Sequence, residues 1–179
     1  RHINGNYGFN STFDDCGNEI KRIFVDDQEQ PTTIVSGVYG KRMIYDKNTF
    51  LLTSISNLDA NGNLMADIDG YVTIKTLYDN DGKPTVNYYL DENGESWKAP
   101  DGTYGSKDVI DQQNMLVTSY FVDNVGNLIS QNGGTYKVIM KYNASGQLEE
   151  VYSLDNADNY IEDNDHQVFQ IYEYDEQSR

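Results

Sequence analysis

Cys16 is the only cysteine in the chain, so no intrachain disulfide can form and the redox compartment stays open. No run of 18 apolar residues occurs, which leaves no candidate for a membrane-crossing helix. Proline is scarce, and the two histidines, His2 and His166, stand near opposite ends. No zinc signature, nucleophile elbow or phosphate loop can be traced. Basic residues are also few, 13 against 29 acidic ones, which gives a formal charge of −16. A nucleic acid or an anionic membrane surface would be repelled, so neither is an expected partner, and membrane insertion is not expected. Neutral glycans, cations and basic proteins remain open as partners.

The chain is rich in aromatics, with 15 tyrosines and six phenylalanines, which argues against disorder. Glycine, asparagine and aspartate are abundant, as short strands joined by tight turns require. The dominant feature is a repeat. An aromatic or apolar residue followed by Asp or Asn recurs at Phe13-Asp14, Tyr45-Asp46, Tyr78-Asp79, Ile110-Asp111, Tyr142-Asn143 and Tyr174-Asp175, at spacings of 32, 33, 32, 32 and 32. A second series, Val25-Asp26, Leu58-Asp59, Leu90-Asp91, Val122-Asp123 and Leu154-Asp155, keeps the same period. Glycines at 5, 37, 70, 102 and 134 form a third. The chain therefore reads as one array over residues 1–179, with repeats at about 5–36, 37–69, 70–101, 102–133 and 134–165 and a partial sixth at 166–179. The second repeat carries one extra residue between Asp46 and Asp59.

Within a repeat the period is two. Val72, Ile74, Thr76 and Tyr78 precede the first Asp at alternate positions, which predicts a strand with one apolar face. Tyr88 and Leu90 precede the second Asp in the same way and predict a second strand with its own inward face. Thr32, Met65, Trp97, Ile129 and Ile161, six positions after the second Asp, predict a short third segment touching the core. Each Asp-x-x-Gly reads as a turn, with the carboxylate accepting backbone N–H groups and glycine taking a positive φ. The expected fold is all-β: tandem 32-residue β-hairpin repeats stacked as a solenoid-like or curled sheet.

Gly70, Val72, Tyr78, Asp79, Gly82, Tyr88, Leu90, Asp91 and Gly94 trace the pattern in the third repeat. This pattern resembles the tyrosine–aspartate (YD) tandem repeats of bacterial surface and secreted proteins, including RHS-type polypeptides. The resemblance implies an extracellular or cell-surface β-array serving as the shell, shaft or binding region of a larger polypeptide. It implies no particular ligand.

Four kinds of chemistry can be weighed on such an array. Enzyme activity is not expected, because most carboxylates fall in turn slots and the repeats leave no separate catalytic domain. No cofactor is certain. Calcium is a candidate at the densest acidic stretch, through Asp155, Asp158, Glu162, Asp163 and Asp165, against the plainer reading of a solvated loop. Glycan or cell-wall polymer is the favoured partner. The slot between the two inward positions of strand two holds Phe24, Tyr89 and Phe121 on a face expected to be polar, and with Trp97 these rings are the candidate ligand-binding residues. The competing readings are a sheet covered on both faces, or rings stacked across strands for stability. The array starts abruptly, with four residues ahead of Gly5, and stops in the first turn of the sixth repeat. That predicts a piece of a longer array, or open strand edges that allow head-to-tail self-association. The sequence thus favours a non-catalytic extracellular module presenting a binding surface, with a structural shaft or filament subunit as the rival.

Overall fold

The computed structural model describes residues 5–162 and 168–174. His2, Asp163, Asp165 and His166 lie outside the described residues. The chain divides after Ala99 into two compact bodies.

The first body is an antiparallel meander in sequence order: β1 (Gly8–Phe13), β2 (Glu19–Val25), β3 (Gly40–Tyr45), β4 (Leu52–Leu58), β5 (Thr73–Tyr78) and β6 (Pro84–Leu90). In the second body β7 (Gly105–Asp111), β8 (Leu116–Val122), β10 (Lys137–Tyr142) and β11 (Leu148–Leu154) continue the same plan. There the two-residue strand β9 (Leu128–Ile129) pairs with β8, and β12 (Tyr160–Ile161) and β13 (Phe169–Ile171) pair with β11. The expected all-β hairpins are present. The expected solenoid-like or curled stacking is not. In each body the free edge of one hairpin pairs with the first strand of the next, as β2 does with β3 and β8 with β10. Lateral pairing extends a sheet; it does not coil one hairpin above another.

The turns follow from aspartate and glycine chemistry. Asp79 Oδ1 accepts the backbone N–H groups of Asp81 and Lys83, both at 2.9 Å. Asp14, Asp59, Asp91, Asp123, Asn143 and Asp155 each accept from the residues two and four further on in the same way. The fourth residue of the turn takes a left-handed conformation, with φ at 75° in Gly82 and 81° in Gly94. Glu29 and Asp158 occupy the same slot at 61° and 66°. Where the first turn has Thr49 or Asn114 in that slot, the positive φ moves one residue on, to Phe50 and Met115. The extra residue of the second repeat is absorbed here, as Asp46 N–H reaches the carbonyl of Leu51.

The third segment crosses the end of strand two. Thr32 and Trp97 donate backbone N–H groups to Phe24 and Tyr89, both at 2.9 Å, and Met65 donates to Asn57 at 3.1 Å. A third turn follows, closed at Gly37, Gly70 and Gly134. Neighbouring third turns bond to each other, Ile68 N–H to the Ser36 carbonyl at 3.1 Å and Asn132 N–H to the Asp101 carbonyl at 2.7 Å. The core gathers where these turns meet the sheet. Leu58, Val38 and Val122 are fully buried, and Val25, Val72 and Leu154 nearly so. Each such side chain contributes about 2 kcal/mol.

The facing of strand two differs from expectation. Directly opposed antiparallel residues share a face. Ile74 opposes Tyr89 and Thr76 opposes Asn87; Phe9 opposes Phe24 and Ser106 opposes Phe121. The slot expected to point outward therefore lies on the same face as the apolar positions of strand one. The positions expected to point inward, such as Tyr88 and Leu90, lie on the other. Alternation fixes facing only within a strand. The number of residues through the turn and its bulge, seen between Leu77 and Tyr78, sets the parity across it.

The tyrosine of the Tyr-Asp pair has a role in the fold. Tyr78 donates its hydroxyl to the carbonyl of Leu52 at 2.6 Å, Tyr45 to that of Glu19 at 3.1 Å and Tyr174 to that of Leu148 at 2.7 Å. In each case the acceptor lies 26 residues earlier, at the start of strand two in the preceding repeat.

Candidate functional site

Three rings from successive elements meet in the first body. Tyr89 sits on β6. Trp97 is brought back over it by the third segment. Tyr71 follows the turn that runs from Asp67 to Gly70. Tyr71 and Tyr89 stack at 5.1 Å between centroids, and Trp97 meets them edge-on at 6.2 and 6.4 Å. Trp97 lies so close over Gly70 that a Cβ there would sit 2.7 Å from Cζ2 of the indole. Gly70 also has a φ of 98°, so this position suits glycine on two counts. All three residues are half-buried.

Polar groups flank the rings. Asp67 Oδ1 accepts N–H bonds from Asp69 and Gly70 at 3.0 and 3.1 Å. Burial foremost, and then the negative charge of Asp67, pushes the Tyr71 phenol above its usual range, so it is a proton donor at neutral pH. Asn57 is 1% exposed; its Nδ2 donates to the Tyr71 carbonyl at 3.1 Å, and its Oδ1 accepts from Lys41 Nζ at 2.5 Å. Burial lowers the Lys41 pKa, which the charge of Asp67 opposes only in part.

Of the candidate ring residues, the structure brings Tyr89 and Trp97 together. Phe24 is 8% exposed, as the competing reading of a covered face has it and not as an open ligand contact. Phe121 is half-buried on β8 in the second body, opposite Ser106. That body has its own ring contacts, Tyr120 with Tyr136 at 5.9 Å and Tyr152 with Tyr160 at 5.5 Å.

Two of the calcium candidates, Asp155 and Asp158, are engaged otherwise. Asp155 spends both carboxylate oxygens on its own turn, and Asp158 pairs with Lys137 Nζ at 2.6 Å. Glu162 is exposed. Among the described residues no three acidic, histidine or cysteine side chains gather as a metal site.

A cavity of about 310 Å³ opens between the first turns of the first two repeats, lined by Asp14, Cys16, Tyr45, Asp46 and Phe50 among others. Sequence reasoning did not single out Lys41, Asn57, Asp67 or Tyr71 as a group. The available signal was departure from the repeat: Lys41 is the only charged residue in its column, whose other members are Phe9, Ile74, Ser106, Val138 and Gln170.

No protein-family model matches the chain, and no curated protein matches it either.

Proposed function

We propose that this chain is a non-catalytic extracellular spacer, a β-shaft that holds successive repeats at a fixed pitch. The observation that carries this reading is the recurring tyrosine tether. The same hydroxyl reaches the same carbonyl of the preceding repeat at Tyr45, Tyr78 and Tyr174. Bonds between neighbouring third turns support it. A repeat array is stabilised through its nearest-neighbour interfaces, so tethers of this kind stiffen it as well as stabilise it. The test uses spin labels at Asp27→Cys and Asn93→Cys in a Cys16→Ser background, two exposed turn sites within the first body. A single narrow distance distribution is expected, broadened by Tyr45→Phe with Tyr78→Phe. A broad distribution in the parent protein would remove the spacer reading.

A second reading rests on the half-buried Tyr71, Tyr89 and Trp97 rings beside Asp67 and Asp69. Aromatic faces next to acidic hydrogen-bonding groups suit the apolar faces and hydroxyls of a neutral glycan. Retention on a panel of insoluble polysaccharides, lost in a folded Trp97→Ala variant, is the result that would favour it. No retention by the folded protein would discard it.

A further inference from the structure

Lys41, Asn57 and Asp67 form a polar trio at one point of a repeat whose counterparts there, among the described residues, carry no charge. Lys41 on β3 and Asn57 on β4 are directly opposed cross-strand partners. The counterparts of this pair are Phe9 with Phe24, Ile74 with Tyr89, Ser106 with Phe121 and Val138 with Ser153. Asp67, three residues before Gly70, corresponds to Ile34, Ala99 and Gln131. Three departures from the repeat thus coincide in space. An amine and a carboxylate near a fully buried amide are costly unless closely engaged with one another.

The geometry sets up a reaction. Lys41 Nζ lies 2.5 Å from Asn57 Oδ1, which places the amine against the Asn57 carboxamide. The carboxamide is fixed, because its Nδ2 donates to the Tyr71 carbonyl at 3.1 Å. That same carbonyl accepts the backbone N–H of Asp67 at 3.1 Å, so the Asp67 turn adjoins the amide nitrogen. We propose that Lys41 Nζ attacks Asn57 Cγ to form an intrachain isopeptide bond, with Asp67 carrying the proton. The lone pair of the neutral amine adds to Cγ. Asp67 takes a proton from Nζ and delivers it to Nδ2. The Cγ–Nδ2 bond then breaks and ammonia leaves. One C–N bond replaces another, so no oxidant or co-reactant is needed. Burial favours the neutral amine that the attack requires. The close cross-strand placement supplies the proximity. The bond closes a covalent loop around the hairpin whose turn holds Phe50 in a left-handed conformation. It stands whether the array is a spacer or a glycan binder.

Intact-mass spectrometry of the folded protein tests the proposal. The expected mass is one ammonia lighter than the sequence mass, and digestion should yield a branched peptide joining Lys41 to Asn57. Lys41→Arg should restore the full mass. Asp67→Asn keeps a side-chain acceptor for the turn, as Asn143 does elsewhere, and should slow the loss of ammonia at least tenfold. A folded wild-type protein that keeps its full mass on prolonged incubation overturns the proposal. So does a loss of ammonia that persists in Lys41→Arg, which would place it at an Asn-Gly succinimide such as Asn61-Gly62. If Lys41→Arg fails to fold, the branched peptide in the wild-type digest decides alone: its absence overturns the proposal.

Discussion

Gly70 and Gly94 provide a paired test of how the third turn is held. Both are left-handed, with φ of 98° and 81°. An added Cβ at Gly94 meets nothing within 4 Å, whereas at Gly70 it would sit 2.7 Å from Trp97. Gly94→Ala should therefore cost only the left-handed penalty, about 1–2 kcal/mol. The slot already accepts such a residue elsewhere, since Glu29 and Asp158 occupy it at similar φ. Gly70→Ala bears the same penalty plus the displacement of a packed indole, about 1–3 kcal/mol more by the usual cost of overpacking. The difference between the two variants isolates the ring contact from the backbone strain. Urea unfolding, followed by circular dichroism and by the emission of Trp97, measures both. Trp97 is the only tryptophan, so its emission in the native state reports its displacement directly. Gly70→Ala should shift that emission and Gly94→Ala should not. Equal destabilisation by the two substitutions, with unchanged emission in both, would refute the packing of Trp97 over the turn.

Two further outcomes follow from the hydrogen bonds. Tyr78→Phe removes the hydroxyl bond to Leu52 and should cost about 1 kcal/mol in urea unfolding. Tyr45→Phe, whose bond is longer at 3.1 Å against 2.6 Å, should cost less, and the reverse order would contradict the tether geometry. Asn18, Asn63, Asn127 and Asn159 side-chain amides hold the carboxyls of Asp14, Asp59, Asp123 and Asp155 below their usual 3.8. A folded-state pKa below the unfolded one gives stability that is present above 3.8 and lost as pH falls through the lower folded values. At high ionic strength, where repulsion from the −16 charge is screened, the melting temperature should hold through mild acid and drop below about pH 4. A melting temperature that rises steadily through that range would sink the assignment.

The columns of the repeat made the strands, the first two turns and the core position before the second Asp legible. Val25, Leu58, Val122 and Leu154 are buried there as the pattern predicts. Alternation and turn chemistry are local, and local signals survive in sequence. The face of strand two was not legible, because its parity depends on a bulge that leaves no residue signature of its own. Phe24 was placed on the outward slot for that reason. The third turn was visible as a glycine column, but its side-by-side bonds, such as Ile68 to Ser36, join backbone groups that no side chain announces. The role of the Tyr-Asp tyrosine was hidden likewise, since its acceptor is a backbone carbonyl.

Of the candidate site, Tyr89 and Trp97 were legible as aromatic slots, whereas the polar trio beside them was legible only as an exception. A repeat sequence carries its own control, since every position has counterparts under the same structural constraint. At the column of Asn57 the counterparts are three rings and a serine, and at that of Asp67 they are Ile34, Ala99 and Gln131. Packing alone would keep the Asn57 column apolar or small, because a fully buried amide costs free energy unless hydrogen-bonded. The second repeat instead holds a lysine, an asparagine and an aspartate that are far apart in sequence and close in the fold. Each residue viewed singly is a surface-type substitution. Their meeting through β3, β4 and the third turn turns three minor departures into one chemical arrangement, and only the register of the sheet reveals it.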